Sequence, residues 1–399
     1  MSPMQSAAMN FVQTLSDPAS TPEQANERAQ EMMTHLKATD PVELDGVVKT
    51  IAQALTFDNP VRGGLAAVCA GALVEGGASP AVLGIPLIER IPDILIAAAR
   101  YYGELVELVG MQGEAPAGDI SYGVTVDGNP VPNAIVDAAR QELPKQAKAF
   151  QALDTWCLPT IACLSLSVDL RRRAQDAGLL PYTAALEGSP TAATWLHLML
   201  RVLDNEPLLV LHPDSRQGFE CKMSGISTNF QLHTLLADTL LKDEAAPPPS
   251  PKPGLFGKLM GKPEPVVSKP RGWLRGTRPS AQVAAVVRGR GPQKIDETST
   301  GVWNLYHWFA LDEDGELPRN IARRESWIWN EGCPADIEAF DGTRIILLGP
   351  PAIARAWGTT RDFDKLKASL DVLKVLTPAE VDDWVARLAK SAAKRSSSA

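Results

Sequence analysis

Four dipeptides occur in the first part of the chain at steps of 19, 19 and 20 residues: Thr21-Pro22, Asp40-Pro41, Asn59-Pro60 and Ser79-Pro80. The first side chain of each pair can accept a hydrogen bond from a first-turn N–H group, and proline suits the first helical position because no donor is needed there. Gln24 and Glu43, three residues after two of the caps, can reach back to the backbone of the cap. The pattern predicts successive helices of about 12–16 residues joined by short turns.

The composition is typical of a globular protein with more than one hydrophobic core. Of the 399 residues, 45% are hydrophobic and 22% are charged. No basic segment precedes an apolar stretch at the N-terminus, and no apolar run approaches the roughly 20 residues that cross a bilayer. Five scattered cysteines do not fit a disulfide framework. We therefore expect a cytoplasmic protein without a transmembrane segment.

Composition and hydrophobic period predict four segments. Residues 1–243 form a helical domain that includes a β-hairpin near its end. Residues 244–270 form a proline-rich basic linker, which is predicted to be mobile. Residues 271–390 form a smaller α+β domain rich in tryptophan, and residues 391–399 form a disordered tail. The predicted fold class is mainly α, with a smaller C-terminal α+β domain.

Within these segments, the period of the apolar residues predicts individual elements. The hairpin pairs strand 208–212 with the alternating segment 219–224. Further strands are predicted over 282–288, 302–311, 326–329 and 343–348. A helix is predicted near 363–375, and a last helix begins at the capping box Thr377–Glu380.

Tandem short helices, about two in every 38–40 residues, are joined by loop-to-helix phrases such as Gly77-Ala-Ser-Pro-Ala and Ala177-Gly-Leu-Leu-Pro-Tyr. This arrangement resembles degenerate armadillo or HEAT repeats over about the first half of the chain. A helical bundle would use the same caps. The resemblance implies a curved surface that binds a protein or a peptide.

The usual motifs of catalytic and metal sites do not occur in the sequence. Segment 257–262 has the wrong spacing for a phosphate loop, and Pro263 occupies the position of the magnesium-binding hydroxyl. Segment 312–316 begins like a calcium loop, but the later ligands are missing. The five histidines have no metal-binding spacing with one another or with cysteine. We therefore predict no cofactor and no bound metal.

The linker and its C-terminal flank are strongly basic. Residues 242–294 include eleven Lys or Arg and three Asp or Glu, a net charge of +8, which leaves −16 on the rest of the chain. The predicted binding residues alternate cations with large apolar side chains: Phe256, Lys258, Lys262, Arg271, Trp273 and Arg275. Such a pattern is typical of a motif that docks on an acidic protein surface. The same composition also fits a solubilising linker, a segment that lies on the chain's own acidic helices, or weak adhesion to an anionic membrane.

Three functions are consistent with these features. The leading prediction is a non-enzymatic interaction or scaffold protein, whose partner is another protein. An alternative is a hydrolase-type enzyme with its site in the C-terminal domain, formed by His307, Glu331, Asp336 and Arg344; the same stretch also fits a turn with solvated charges. A third is nucleic-acid binding by the linker, in which Arg271, Arg275 and Arg278 contact phosphates and Trp273 stacks on a base.

Overall fold

A computed structural model of the protein describes residues 2–112, 120–242, 274–318 and 323–396. The chain forms two compact units, Met1–Arg201 and Val202–Ala399. The first is helical with one hairpin, and the second combines a sheet with helices. The predicted fold class, mainly α with a C-terminal α+β part, is confirmed. Within the described ranges, no helix combines the length and the apolar character needed to span a bilayer.

The described residues of the first unit form eleven helices and one antiparallel pair of strands. Their bounds are α1 (Pro3–Ser16), α2 (Pro22–Thr34), α3 (Pro41–Ala52), α4 (Pro60–Glu75), α5 (Pro80–Gln112), β1 (Ile120–Val126), β2 (Asn129–Pro132), α6 (Asn133–Glu142), α7 (Pro144–Gln151), α8 (Leu153–Leu166), α9 (Val168–Asp176), α10 (Leu180–Ala184) and α11 (Ala193–Leu200). Each proline of the four predicted start signals is the first residue of a helix, which confirms the predicted starts.

The capping residues behave as predicted at one helix start and differently at another. Thr21 accepts a hydrogen bond from the Gln24 N–H, and the Gln24 side chain accepts one from the Thr21 N–H. Glu43 does not reach back in this way, because its carboxylate accepts a hydrogen bond from the Ser2 hydroxyl. Ser2 in turn caps α1 by accepting from the Gln5 N–H at 3.1 Å. The start of α3 therefore supports the start of α1.

The long helix α5 lies at the centre of the first unit. Its buried side chains recur every three or four positions: Leu83, Leu87, Ile91, Leu95 and Ala98. Helices α3, α4, α7 and α8 pack against it. Although Pro86 and Pro92 each remove a backbone donor, the helix continues through both residues. Packing on several sides explains why this apolar segment is buried.

Helices α4 and α8 approach each other closely because glycines of α4 lie at the contact. A Cβ atom at Gly63 would lie 2.7 Å from Cζ2 of Trp156, and one at Gly71 would lie 2.8 Å from Cβ of Pro159. The fully buried Trp156 donates its indole N–H to the Pro60 carbonyl at 2.8 Å. Because the start of α4 contacts the start of α8, and Gly71 contacts a residue further along α8, the two helices run parallel.

The described residues of the second unit form ten strands and three helices. Their bounds are β3 (Glu206–His212), β4 (Gln217–Ser224), α12 (Asn229–Leu240), β5 (Leu241–Lys242), β6 (Leu274–Arg275), α13 (Ala281–Val287), β7 (Lys294–Thr300), β8 (Asn304–Tyr306), β9 (Ala339–Phe340), β10 (Thr343–Gly349), β11 (Ala356–Thr360), β12 (Ser369–Val375) and α14 (Pro378–Ser396). The main sheet has the order β12-β4-β3-β10-β8, with β9 also paired to β10. Strands β3 and β10 are parallel, and the other pairs of this sheet are antiparallel.

Helices cover both faces of this sheet. Leu208 and Val210 of β3 share a core with α12, whereas Leu209 and Leu211 share a core with α14. Successive residues of a strand point to opposite faces, so a strand that is covered on both faces is apolar throughout. This arrangement accounts for the continuous apolar run in β3.

Two predicted elements of the second unit are wrong. Residues 282–288, predicted as a strand, lie mostly in α13, where Ser280 caps the helix by accepting from the Val283 N–H at 3.2 Å. Residues 363–375, predicted as a helix, end in β12, which pairs with β4. Over such short segments, the spacing of the apolar residues fits both the period of an α-helix and the period of a β-strand. Tertiary packing therefore decides whether such a segment becomes a helix or a strand. Residues 369–375 become a strand because they pair with the edge of β4 that β3 does not occupy.

The remaining strand and helix predictions agree in part. Strand 343–348 and the last helix are confirmed by β10 and α14. Of the predicted strand 302–311, only the three residues of β8 form a strand, and a 3-10 turn follows them. Segment 326–329 contributes one isolated bridge instead of a strand. α14 continues past residue 390 into the predicted tail, where Ala392 is buried against the sheet.

The strands on either side of the basic segment 243–273 are paired with each other. β5 and β6 pair in parallel, with Leu241 beside Leu274 and Lys242 beside Arg275. The predicted linker 244–270 lies outside the described residues, but both of its flanks belong to the second unit. The predicted hairpin also belongs there, because β3 and β4 are central strands of its sheet. The observed division at residue 201 therefore differs from the predicted one at residue 243.

Candidate functional site

Two residues of the predicted hydrolase site lie around the 3-10 turn Pro334–Asp336. The Glu338 N–H donates to Nδ1 of His307 at 3.3 Å, and the Asp336 carboxylate accepts from the Cys333 N–H at 3.0 Å. Burial lowers the pKa of His307, while the Glu338 carboxylate opposes this shift. A neutral imidazole that accepts through Nδ1 carries its proton on Nε2. Both side chains thus support the backbone of the turn.

Arg344 supports the same turn from β10. Its guanidinium donates to the carbonyls of Ala335 and Ile337 and pairs with the Glu206 carboxylate at 2.9 Å. Glu331 is exposed to solvent. The structure therefore brings three of the four residues to one turn, and their contacts are those of structural supports. The hydrolase alternative stays a prediction.

The cysteines are poorly suited to nucleophilic catalysis. All five are buried, and none of them is joined to another by a disulfide bond. Burial raises the pKa of Cys69, Cys163 and Cys221 to about 12, so the reactive thiolate is scarce at neutral pH. Across the part of the chain that the structure describes, no group of three or more His, Cys, Asp or Glu residues is placed to hold a metal ion.

His233 is buried and holds a loop in place. Its Nε2 accepts hydrogen bonds from the N–H groups of Val302 at 3.1 Å and Trp303 at 3.4 Å, and its Nδ1 lies 3.5 Å from Oδ1 of Asn330. Burial lowers the pKa of His233 to about 4. The ring is therefore neutral at pH 7.

We expect the free energy of unfolding to decrease as the pH falls from 6.5 towards 4. In this interval the unfolded chain protonates a histidine of ordinary pKa, whereas folded His233 stays neutral, so stability rises with pH. The loss between pH 7 and about pH 4.5 should be about 2–3 kcal/mol for this group. Urea unfolding at both pH values measures it. His233→Gln, whose side-chain oxygen can accept the same N–H groups, should remove this part of the pH dependence; an unchanged slope would contradict the assignment.

Most of the binding residues predicted in and beside the linker belong to segment 243–273. Five of the predicted binding residues lie outside the described residues: Phe256, Lys258, Lys262, Arg271 and Trp273. Arg275 is exposed on β6. Arg278 pairs with the Asp238 carboxylate at 2.7 Å, and Arg288 pairs with its other oxygen at 2.7 Å. A phosphate would have to compete with that carboxylate for Arg278, which lessens the support for the nucleic-acid prediction.

The helical unit exposes an apolar surface that the sequence pattern does not single out. We call it the α4–α8 face, and it consists of Val61, Leu65, Val68 and Ala72 of α4 with Leu158, Ala162 and Leu166 of α8. The side chains of Val68, Leu158 and Leu166 are 40%, 54% and 43% exposed. Spacings of three and four residues place the members from each helix in one stripe.

The two stripes belong to helices that pack against each other. Each residue of a helix is rotated by about 100° from the one before. The stripe of α4 is therefore about half a turn from Gly63 and about a quarter turn from Gly71, and the stripe of α8 is on average about a quarter turn from Trp156 and Pro159. Neither stripe is therefore buried in the contact between the two helices, and each exposes apolar side chains to solvent.

Acidic residues mark both ends of the α4–α8 face. Asp154 lies at the start of α8 and Glu75 at the end of α4, and both are exposed. The nearby Arg62 donates to the carbonyls of Leu15 and Asp17 at 2.9 and 2.6 Å, so its guanidinium is directed to the end of α1. Residues 1–201 include 22 Asp or Glu and 13 Lys or Arg, a net charge of −9. The face therefore lies on an acidic unit.

Comparisons of the chain with protein-family models, with curated proteins and with solved structures give no match. The structure itself shows a helix-rich first unit in which neighbouring helices pack on each other, for example α1 on α2 and α3 on α4. Function is therefore inferred from the geometry and the charge of this chain's own residues.

Proposed function

We propose that this is a non-enzymatic interaction protein of the cytoplasm, whose helical unit binds a basic amphipathic helix of another protein on the α4–α8 face. The single observation that carries this proposal is the exposure of an apolar stripe on each of two helices, α4 and α8, that pack against each other. Contiguous apolar surface on a folded protein marks an interaction site more often than scattered apolar residues do. An amphipathic helix fits such a surface because its own apolar residues recur every three or four positions.

Charge is the reason for proposing a basic partner helix. The acidic ends of the α4–α8 face, Asp154 and Glu75, are placed to meet Lys or Arg residues that flank an apolar stripe. A net charge of −9 on residues 1–201 attracts a basic segment from a distance. Complementary charge of this kind raises the association rate and fixes the orientation of the bound helix more than it raises affinity.

The helical-repeat description is also part of this proposal. Packing between neighbouring helices supports it, and armadillo and HEAT proteins use stacked helices to present long binding surfaces. The contact between α4 and α8 joins helices that are distant in sequence. A partner helix on this pair would therefore contact two parallel helices at once.

The basic segment 243–273 is proposed as a second contact, through Phe256, Lys258 and Lys262. What supports it is its positive charge on an otherwise acidic chain. Its flanking strands, β5 and β6, pair with each other in the second unit, so both ends of the segment are attached at the same point of that unit. The cytoplasmic location is supported by the five buried cysteines, which form no disulfide bond with one another, as is typical of a reducing compartment.

We expect the double substitution Val68→Glu with Leu158→Glu to weaken partner binding at least about tenfold, because it places charge within the apolar contact. A photo-crosslinking amino acid at position 158 of the full-length protein captures the partner in native cells, and mass spectrometry identifies the crosslinked segment. A synthetic peptide of that segment is then titrated against the wild-type protein and the double variant by calorimetry. The crosslinked segment should be a basic amphipathic helix.

A matched control uses an apolar residue away from the face. Val42 of α3 is 83% exposed, so Val42→Glu adds one negative charge, as each substitution of the double variant does, and should leave binding unchanged. Replacing residues 244–270 by a Gly-Ser linker of about twelve residues tests the second contact; the affinity for the full-length partner protein, and the salt dependence of that affinity, should fall. Unchanged peptide affinity in the Val68→Glu, Leu158→Glu protein would contradict the proposal, as would crosslinking to an acidic or extended segment.

A further inference from the structure

A small pocket in the second unit combines aromatic rings, hydroxyl groups and one carboxylate. It has a volume of about 160 Å³ and lies between the start of α12, the end of α13 and the strand pair β7–β11. Its walls include Phe230, Trp357 and Asp362, together with hydroxyl side chains. Among the hydroxyls, Ser299 and Thr359 are buried and bond to each other at 3.0 Å. They therefore form a fixed polar wall.

Among the described residues, the Asp362 carboxylate has a hydroxyl partner and no cationic partner. Its Oδ2 accepts from the buried Ser227 hydroxyl at 2.8 Å. Burial raises the pKa of Asp362, the Ser227 hydrogen bond lowers it, and no charged group among the described residues contributes. The neighbouring Arg361 guanidinium is occupied elsewhere, because it donates to the carbonyls of Val286 at 2.6 Å and Asp364 at 2.8 Å. A negative charge in this pocket thus has no counter-ion among the residues that the structure describes.

Two aromatic rings meet beside this carboxylate. The ring centroids of Phe230 and Trp357 lie 5.4 Å apart with an angle of 54° between the ring planes, so the rings form a corner. Both side chains are partly exposed, and a ligand can reach them. Aromatic faces attract cations, and corners of aromatic rings are the usual sites for alkylammonium groups.

We propose that the pocket formed by Phe230, Trp357 and Asp362 binds a small alkylammonium group. A positive charge would complete the ion pair that Asp362 lacks, and methyl or methylene groups would contact the two rings. The volume is below the range of about 300–1,000 Å³ that drug-sized ligands occupy, so only a compact head group fits. Such a group comes either from a free amine or from the side chain of a modified lysine. This inference is independent of the α4–α8 face and of the function proposed for it.

The test is a titration of the full-length protein with three probes. Tetramethylammonium chloride and choline represent the free amine, and a short peptide with one trimethyllysine represents the protein side chain. Binding is followed through the indole N–H signal of Trp357 in two-dimensional nuclear magnetic resonance, assigned with Trp357→Phe. We expect saturable shifts of this signal with tetramethylammonium, and the tighter of the other two probes identifies the source of the group.

Charge selectivity provides the discriminating control. The neutral analogue 3,3-dimethylbutanol has the shape of choline without its charge and should bind at least about tenfold more weakly. Asp362→Asn, which retains an acceptor for the Ser227 hydroxyl, should weaken tetramethylammonium binding by a similar factor. Asp364→Asn is the matched control, because this exposed carboxylate lies two residues away and should leave binding unchanged.

Folding and binding are separated by measuring the thermal midpoint of each variant. A second variant, Phe230→Leu, keeps an apolar side chain and removes one ring, so it should weaken binding without unfolding the unit. The proposal is overturned if tetramethylammonium and the neutral analogue bind equally, if Asp362→Asn binds as well as the wild type, or if no Trp357 shift occurs with any probe.

Discussion

Replacement of Trp156 by alanine should lower the free energy of unfolding of the helical unit by about 3–5 kcal/mol. The side chain is fully buried between α4 and α8, and its indole N–H donates to the Pro60 carbonyl. Gly63 has no side chain and lies against this ring, so the truncation creates a cavity that α4 has no side chain at this position to fill. Urea unfolding with hydrogen exchange resolved along α4 and α8 measures the loss in this unit.

Leu158 provides the matched control for Trp156, since it lies two residues further along α8 and is 54% exposed. Leu158→Ala should change the free energy of unfolding by no more than about 0.5 kcal/mol. The two variants therefore separate the buried side of α8 from its exposed side. Equal losses of unfolding free energy in the two variants would mean that α8 is rotated from the orientation described. The α4–α8 face would then consist of other residues.

Replacement of Asp238 by alanine should destabilise the second unit by about 3–5 kcal/mol. The carboxylate is only 8% exposed and pairs with both Arg278 and Arg288. Its removal leaves the Arg288 guanidinium, which is mostly buried, without a counter-ion. Because both arginines follow the basic segment 243–273 in the chain, hydrogen exchange should increase over α13 and β6 in particular. Urea unfolding gives the total loss.

An exposed ion pair is the control for this buried one. Asp382 of α14 pairs with Arg216, and both side chains are at least half exposed. Asp382→Ala should cost about 0–1 kcal/mol, since water and salt screen such pairs. If Asp238→Ala lowers the free energy of unfolding no more than Asp382→Ala does, the buried carboxylate does not stabilise the unit through its ion pairs with Arg278 and Arg288.

Local signals in the sequence predict the helix starts well. The pairs from Thr21-Pro22 to Ser79-Pro80 act through contacts within four residues, so no knowledge of the tertiary fold is needed. The capping box at Thr377 is confirmed for the same reason. Residues 282–288 and 363–375 are different, because their short apolar runs become helix or strand according to the edge or face against which they pack.

Long-range features could not be predicted from one sequence. The hairpin β3–β4 is visible as a pattern, but its parallel partner β10 follows more than a hundred residues later. Likewise, the α4–α8 face depends on which sides of the two helices remain uncovered, and glycines such as Gly63 only suggest a close approach. Of the predicted hydrolase site, Asp336 and Arg344 lie close together in sequence and in space, whereas Glu331 remains apart in solvent.

The parallel pairing of β5 with β6 makes segment 243–273 an insertion into a finished unit. Both ends of this segment are held by the same strand pair, so a change in its length leaves that pairing within one unit. The same property offers a practical use. A fluorescent domain or an affinity tag placed between Lys242 and Leu274 would be carried by the protein without a change to either chain terminus, which makes this position a natural site for a reporter.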